Sequence, residues 1–448
     1  LQNLFLLAAS YFFYAWWDWR FLSLIVLSSA VDYGVGLALA ASCDPRRRRL
    51  LLGLSLTANL GCLAFFKYFG FFVSSLVDAA AAVGIHLEPT TLRIVLPVGI
   101  SFYTFQTLSY TLDIYRGRIE PTRDAVSFFA FVSFFPQLVA GPIERAASLL
   151  PQFERNRRFD FQEARDGARR ILWGLFKKVV VADTCGRQVN IIFAASGELS
   201  GSTLLLGVFY FAFQIYCDFS GYSDVAIGSA KLLGIRLRDN FDLPYFSRDV
   251  AEFWRRWHIS LSSWFRDYVY IPLGGNRHGK ARQVANVLAT FGLSGLWHGA
   301  SWNFVVWGLL HGSYQIPSVL RGRRRPDRRV AAWSTALPRP GELARILATF
   351  ALTLFAWIFF RAEDLDHALR YTAGMFTASL FGAPQFDHGV PLALIAGLLS
   401  AEWVQRRKAH PLQFDGLPTF LRWSVYLALS LAIIAFFGER RDFIYFQF

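Results

Sequence analysis

The sequence predicts an all-α polytopic membrane protein, with roughly ten to twelve transmembrane helices and further interfacial or re-entrant helices. Three observations lead there. Only 17% of the 448 residues are charged, against about 25% in a soluble domain, and the mean hydropathy is +0.33. Apolar stretches long enough to cross a bilayer recur along the whole length, and each is expected to be helical because lipid offers no partner to an open sheet edge. The net charge of +14 comes largely from short arginine runs between those stretches.

In chain order the apolar stretches are Leu1–Trp17, Phe21–Ala41, Leu50–Val83, Leu92–Ile114, Ala125–Ile143, Ile171–Ile192, Thr203–Leu233, Val284–Ile316, Leu343–Phe360, Val390–Val404 and Leu421–Phe437. One span needs about 20 residues, so Leu50–Val83, Thr203–Leu233 and Val284–Ile316 are each expected to fold as two elements. The first two stretches are parted by Trp16-Trp17-Asp18-Trp19, an aromatic belt of the kind found at the membrane interface. The basic runs Arg46–Arg49, Arg155/Arg157/Arg158, Arg321–Arg329 and Arg406–Lys408 are expected on the cytoplasmic side. That puts the Phe360–Pro391 connection outside, along with Arg440 and Arg441, which mildly violate the rule. Nucleic-acid binding would need a basic face with interleaved aromatics on one folded domain, and none is visible.

The chain begins at Leu1 within an apolar run and its one methionine is Met375, so the N-terminus is expected to be incomplete; no signal peptide is expected. Cys43, Cys62, Cys185 and Cys217 lack paired zinc or redox spacing. With no internal repeat and no linker, one membrane domain is expected over 1–448, its chemistry concentrated in 218–312.

Between Asp239 and Lys280 the apolar pattern breaks into charged and aromatic residues, as in helices lying at the interface or entering a protein-walled cavity. Glu252 stands at ion-pair spacing from Arg255 and Arg256. His258, beside Trp257, reads equally as a snorkelling interfacial residue or as a catalytic one. His298 lies in a strongly hydrophobic run, where a titratable group is costly and points to function. Gly299 and Ala300 leave room beside it, while Gly292, Ser294 and Gly295 also suit close helix packing. His311 is a weaker candidate. On a continuous helix it would sit about 20 Å and roughly 140° from His298, out of reach unless the chain breaks near Gly299.

Gly274-Gly275-Asn276-Arg277-His278-Gly279-Lys280 imitates a phosphate loop, but Ala281 stands where Ser or Thr must bind magnesium, so it reads as a glycine turn. Two polar sets sit in apolar surroundings, Gln214 to Asp224 and Ser101 to Asp113. Both are compatible with a polar tunnel or with interhelical hydrogen bonds, and Asp218 is the preferred tunnel residue.

The runs Asp218-Phe219-Ser220-Gly221-Tyr222-Ser223-Asp224, Phe253-Trp254-Arg255-Arg256-Trp257-His258-Ile259-Ser260, Arg266-Asp267-Tyr268-Val269-Tyr270-Ile271-Pro272-Leu273-Gly274-Gly275 and Gly295-Leu296-Trp297-His298-Gly299 together resemble the membrane-bound O-acyltransferases, most of all the bacterial alginate O-acetylation branch. Val139-Ala140-Gly141-Pro142-Ile143 and Phe443-Ile444-Tyr445-Phe446-Gln447-Phe448 fit the same branch. The resemblance implies helices around a central tunnel in the bacterial cytoplasmic (inner) membrane. It makes His298 the catalytic residue and His258 its partner on the cytoplasmic face. Asp218, Trp254, Arg255, Arg256, Trp257, Trp297 and Asn303 are expected to line the tunnel or meet substrate. An acyl group, in this branch usually acetyl, would pass from a cytoplasmic thioester such as acetyl-CoA towards an extracytoplasmic polysaccharide, with a separate extracytoplasmic acetyltransferase completing the transfer. No bound cofactor or metal is expected. The competing readings are a transporter or flippase using Asp218 and the histidines, and a scaffold anchoring a polysaccharide-modifying complex.

Overall fold

The computed structural model describes residues 1–87, 92, 94–139, 141–322, 336–386, 389–414 and 416–438. Ala140, most of the Arg321–Arg329 run, Arg440, Arg441 and the closing Phe443–Phe448 lie outside those residues. Every regular element among the described residues is helical. The chain forms two compact units, one of Leu1–Glu163 with Ala230–Arg238, the other of Ala164–Ser229 with Asp239–Phe448.

The first unit opens with α1 (Gln2–Ala40), broken at Asp18, whose backbone is extended at φ −158° and ψ 109°. The belt residues Trp16 and Trp19 are exposed there. Helix α2 (Pro45–Leu63) starts where Asp44 accepts from the backbone N–H of Arg46 and Arg47, with Pro45 in the first turn. A wide turn at Ala64–Tyr68 leads into α3 (Phe69–Ala82). Then come α4 (Ile100–Tyr115), α5 (Ala125–Ser133), α6 (Phe135–Leu138) and α7 (Ala146–Glu154). Asp32 of α1 is fully buried and accepts from Ser55 (2.5 Å), Asn59 (2.7 Å) and Thr111 (2.9 Å), joining α1, α2 and α4. The stretch Ala125–Ile143 does not run as one span. Pro136 has no N–H to offer the carbonyl of Val132, and the chain turns at Phe134.

The second unit holds most of α8 (Phe161–Leu175), which continues through Phe176–Ala182 into α9 (Asp183–Ala194), and most of α10 (Gly201–Leu232). The expected division of Thr203–Leu233 does not occur. Helix α10 is continuous for 32 residues, about 48 Å. Glycines let it lie against the α8–α9 rod: a methyl on Gly221 would come 2.7 Å from the Gly174 carbonyl oxygen, and one on Gly174 would come 2.5 Å from that of Gly221. Two short helices follow, α11 (Val250–Arg256) and α12 (Ile259–Phe265), and then α13 (Gly279–His298), α14 (Trp302–Arg321), α15 (Pro340–Arg361), α16 (Leu365–Met375), α17 (Gly389–Val404) and α18 (Thr419–Phe436).

Val284–Ile316 does split, into α13 and α14. These two form an antiparallel hairpin so close that a methyl on Gly295 would meet the Phe304 carbonyl oxygen at 2.1 Å, and one on Gly308 that of Phe291 at 2.2 Å. Lys280 Nζ donates to the Leu320 carbonyl at the open end. At the closed end Asn303 Nδ2 donates to the carbonyls of Phe359 (3.2 Å) and Ala362 (2.8 Å), so the hairpin tip and the C-terminus of α15 share one end of this unit.

Among the described residues, five helical stretches are long and apolar enough to cross a membrane: Gln2–Ala40, Pro45–Ala82, Gly201–Leu232, Pro340–Arg361 and Thr419–Phe436. Large apolar side chains on α18, among them Phe420, Trp423, Leu427 and Ile434, are exposed, as a lipid-facing helix requires. The protein is a multi-pass membrane protein.

Candidate active site

His298 is the last residue of α13, and the chain leaves its helix there because Gly299 is extended. Its ring is 3% exposed and packed by Trp297 (centroids 4.9 Å apart), Trp307 (5.0 Å) and Phe360 (5.3 Å). The space beside Gly299 is not open. A methyl there would come 2.2 Å from the Phe304 ring, so the glycine serves packing at the hairpin tip.

His258 stands between α11 and α12 in a left-handed backbone conformation, φ 43° and ψ 54°. For a residue with a Cβ that costs roughly 1–2 kcal/mol, so the surroundings must hold it there. Phe219 of α10 lies edge-on at 4.6 Å and Trp297 at 6.0 Å. The two imidazoles meet, His258 and His298 having centroids 6.4 Å apart. Residues separated by 40 positions are thus brought together, as the resemblance implies.

His258 Nδ1 lies 3.1 Å from Asn240 Oδ1. That oxygen also accepts from the Ser260 hydroxyl (2.9 Å) and the Ser260 backbone N–H (3.2 Å), while Asn240 Nδ2 faces Ser223 Oγ at 3.3 Å. Asn240 therefore offers His258 only an acceptor, and the Ser260 hydroxyl, 3.4 Å from Nδ1, turns its proton to Asn240 instead, which assigns the imidazole proton to Nδ1. His258 Nε2 is left as a buried lone pair with no hydrogen-bond partner among the described residues. Burial pushes this imidazole, which lies outside the five candidate spans, down to about 3. Near neutral pH His258 is therefore a neutral acceptor rather than a cation.

A cavity of roughly 700 Å³ lies in the same unit, lined by Trp254, Arg255, Ile259, Arg266, Ser294 and Gln315 among others. Ile259 follows His258 in the chain, and Ser294 is one turn of α13 before His298. The sequence-predicted residues divide around this cavity. Trp254 and Arg255 line it; His258, His298, Asp218, Arg256, Trp257, Trp297 and Asn303 do not. Arg256 is buried in ion pairs with Glu252 (3.1 Å) and Asp242 (2.5 Å), and Glu252 also holds Arg248 (2.9 Å). Asp218 meets Lys178 at 2.9 Å. Trp257 stacks on Phe253, with centroids 5.5 Å apart, and Asn303 caps α15. The glycine turn forms as expected, Gly274 and Gly275 both having positive φ.

Sequence reasoning missed three features. Asn240 carries no local motif of its own. Arg266 stands out in the sequence only as part of a motif, yet it borders the cavity. His311 is out of reach of His298 on a continuous helix, but the turn after His298 brings it back. Trp307 lies 5.0 Å from both the His298 and His311 rings, and Trp254 Nε1 donates to His311 Nδ1 at 3.2 Å. The possible break at Gly299 was the available signal. The polar set around Asp224 forms ion pairs with Arg170 (2.8 Å) and Lys177 (2.6 Å), and in the first unit Gln106 bonds the Phe131 carbonyl and Gln137, each at 2.8 Å.

Comparison with known proteins gives a consistent picture. The profile described as MBOAT, membrane-bound O-acyltransferase family, matches residues 120–355. A probable alginate O-acetylase of Azotobacter vinelandii is 42% identical over 84% of this chain and 73% of its own length. A peptidoglycan O-acetyltransferase of Helicobacter pylori is 37% identical over 83% of this chain and 73% of its own length. A teichoic acid D-alanyltransferase of Streptococcus thermophilus is 31% identical over 54% of this chain and 62% of its own length.

Proposed function

This chain belongs to the membrane-bound O-acyltransferase family and is an acyltransferase, and from that premise we propose that it moves an acetyl group from a cytoplasmic thioester, acetyl-CoA or a related carrier, towards an extracytoplasmic polysaccharide. The observation that carries the reading is the meeting of His258 and His298, ring centroids 6.4 Å apart. In this reading the chain is one domain of ten to twelve spanning helices in the bacterial inner membrane, ringing a tunnel. A separate extracytoplasmic acetyltransferase completes delivery to the polymer, and the names of the relatives point to alginate or a related polysaccharide as acceptor.

The chemistry needs a base that is unprotonated near neutral pH, and imidazole, with an ordinary value near 6.5, is suited to it. His298 takes the proton of the attacking hydroxyl as its oxygen adds to the thioester carbonyl. Collapse of the tetrahedral intermediate breaks the C–S bond, and the proton passes from His298 to the departing thiolate. His258 acts through Nε2 as a hydrogen-bond acceptor that orients its partner. The alternative assignment, in which it stabilises the oxyanion, asks for an N–H donor at Nε2 that the Asn240 contact disfavours. Arg255 on the cavity wall is placed to meet a donor phosphate; Arg266, on the same wall, is paired with Asp267 at 2.7 Å. Arg256 and Lys280 are already engaged, by Glu252 and Asp242 and by the Leu320 carbonyl.

The test is polymer O-acetylation in cells carrying wild type, His298→Ala or His258→Ala at equal membrane levels. Loss of acetyl groups supports the assignment. Full acetylation by a folded His298→Ala protein refutes it.

A further inference from the structure

Several hydrogen bonds at the left-handed turn of His258 converge on one residue. Asn240 is 1% exposed, its backbone carbonyl accepts from the Ile259 N–H at 2.9 Å, and its side-chain oxygen gathers His258 Nδ1 and both donors of Ser260. Its amide nitrogen reaches back to Ser223 on α10. One side chain thus ties the α11–α12 turn to the long helix and sets the face of the imidazole that looks inward.

We propose that Asn240 is a positioning residue for acyl transfer: its side-chain carbonyl holds the His258 proton on Nδ1 and thereby presents Nε2 as an acceptor beside His298. The inference rests on the reading of the histidine pair given above. An aspartate at this position would be nearly isosteric but charged. The charged groups around the ring are otherwise committed. Asp218 and Asp224 of α10 face Lys178 and the Lys177–Arg170 pair, and Asp239 and Asp242, flanking Asn240, pair with Arg170 and Arg256. His298 of α13 is the titratable neighbour in ring contact. A new carboxylate at 240 would therefore act directly on His258, and an opposite charge within hydrogen-bond reach raises an imidazole by about 1–3 pH units.

The experiment uses the full chain in lipid nanodiscs, with histidine labelled in 15N and the His258 resonances identified by their loss in His258→Gln. Wild type is expected to show His258 as the Nδ1–H tautomer. Asn240→Asp is expected to shift the protonation midpoint of His258 upward by at least one pH unit. Asn240→Leu is expected to mix the tautomers and to lower polymer O-acetylation in cells about 10- to 100-fold, the usual effect of losing an orienting partner. If Asn240→Leu does not accumulate, the Asn240→Asp titration decides alone. A wild-type Nε2–H tautomer, or an unmoved midpoint in Asn240→Asp, overturns the proposal while leaving the histidine pair standing. Full O-acetylation by His258→Ala instead overturns the reading on which it rests.

Discussion

Replacing Gly295 by alanine tests whether the closeness of the α13–α14 hairpin matters for chemistry. The new methyl would lie 2.1 Å from the Phe304 carbonyl oxygen, whereas ordinary contact begins at 3.4 Å. The obstacle is backbone, so one helix must move by the difference, 3.4 − 2.1 = 1.3 Å. His298 is one turn further along the same helix. A displacement of about 1 Å at a reacting group costs on the order of 100-fold in rate, and overpacking of this kind about 1–3 kcal/mol of stability. Gly292→Ala is the control. Its methyl would meet only Leu309, at 3.4 Å, and alanine gains roughly 1 kcal/mol in helix propensity over glycine. The assay is polymer O-acetyl content per molecule of protein in the membrane, with thermal unfolding followed in detergent. Gly295→Ala is expected to lose most acetylation and Gly292→Ala to keep it. Acetylation by Gly295→Ala within threefold of wild type would refute the reasoning.

Two further outcomes follow from buried ionisable groups. Burial holds the His258 imidazole at about 3, against about 6.5 unfolded. Its part of the stability is therefore fully present above about pH 6.5 and is lost as pH falls from there towards 3, at about 1.4 kcal/mol per pH unit. The melting advantage of wild type over His258→Gln should shrink between pH 7.5 and 5, and an advantage constant across that range contradicts this. Glu252→Gln removes the carboxylate shared by Arg248 and Arg256. Breaking a buried pair costs about 3–5 kcal/mol, so a marked drop in the melting midpoint is expected, and an unchanged midpoint would show the network contributes little.

The contrast between Asn240 and His298 shows why part of the site was legible in the chain and part was not. His298 announces itself because a titratable group inside an apolar run has a cost visible from its neighbours in sequence. Asn240 has no such signal. An asparagine in a loop is ordinary, and its importance appears only when Ser223, His258 and Ser260 converge on its amide. Arg256 shows the reverse. It lies in a motif-bearing run beside a cavity-lining arginine, yet one step of helix turns it away into Glu252 and Asp242. Pro136 was a readable signal that Ala125–Ile143 breaks, since the missing N–H is a local fact. The continuity of α10 was less readable, because length alone cannot tell one long helix from two shorter ones.

The sequence by itself determined the membrane class, the helical character, the break near Asp18, the division of 284–316 and the short motifs that carry the family. Each follows from properties that add up along neighbouring residues: hydropathy, backbone preference and the cost of a charge among apolar groups. The tertiary structure alone decided how closely His258 approaches His298, that Asn240 faces the His258 Nδ1, and that His311 returns to within one indole of His298. These depend on residues 13 to 57 positions apart, and the direction in which a side chain points is set by how helices pack rather than by what precedes it in the chain.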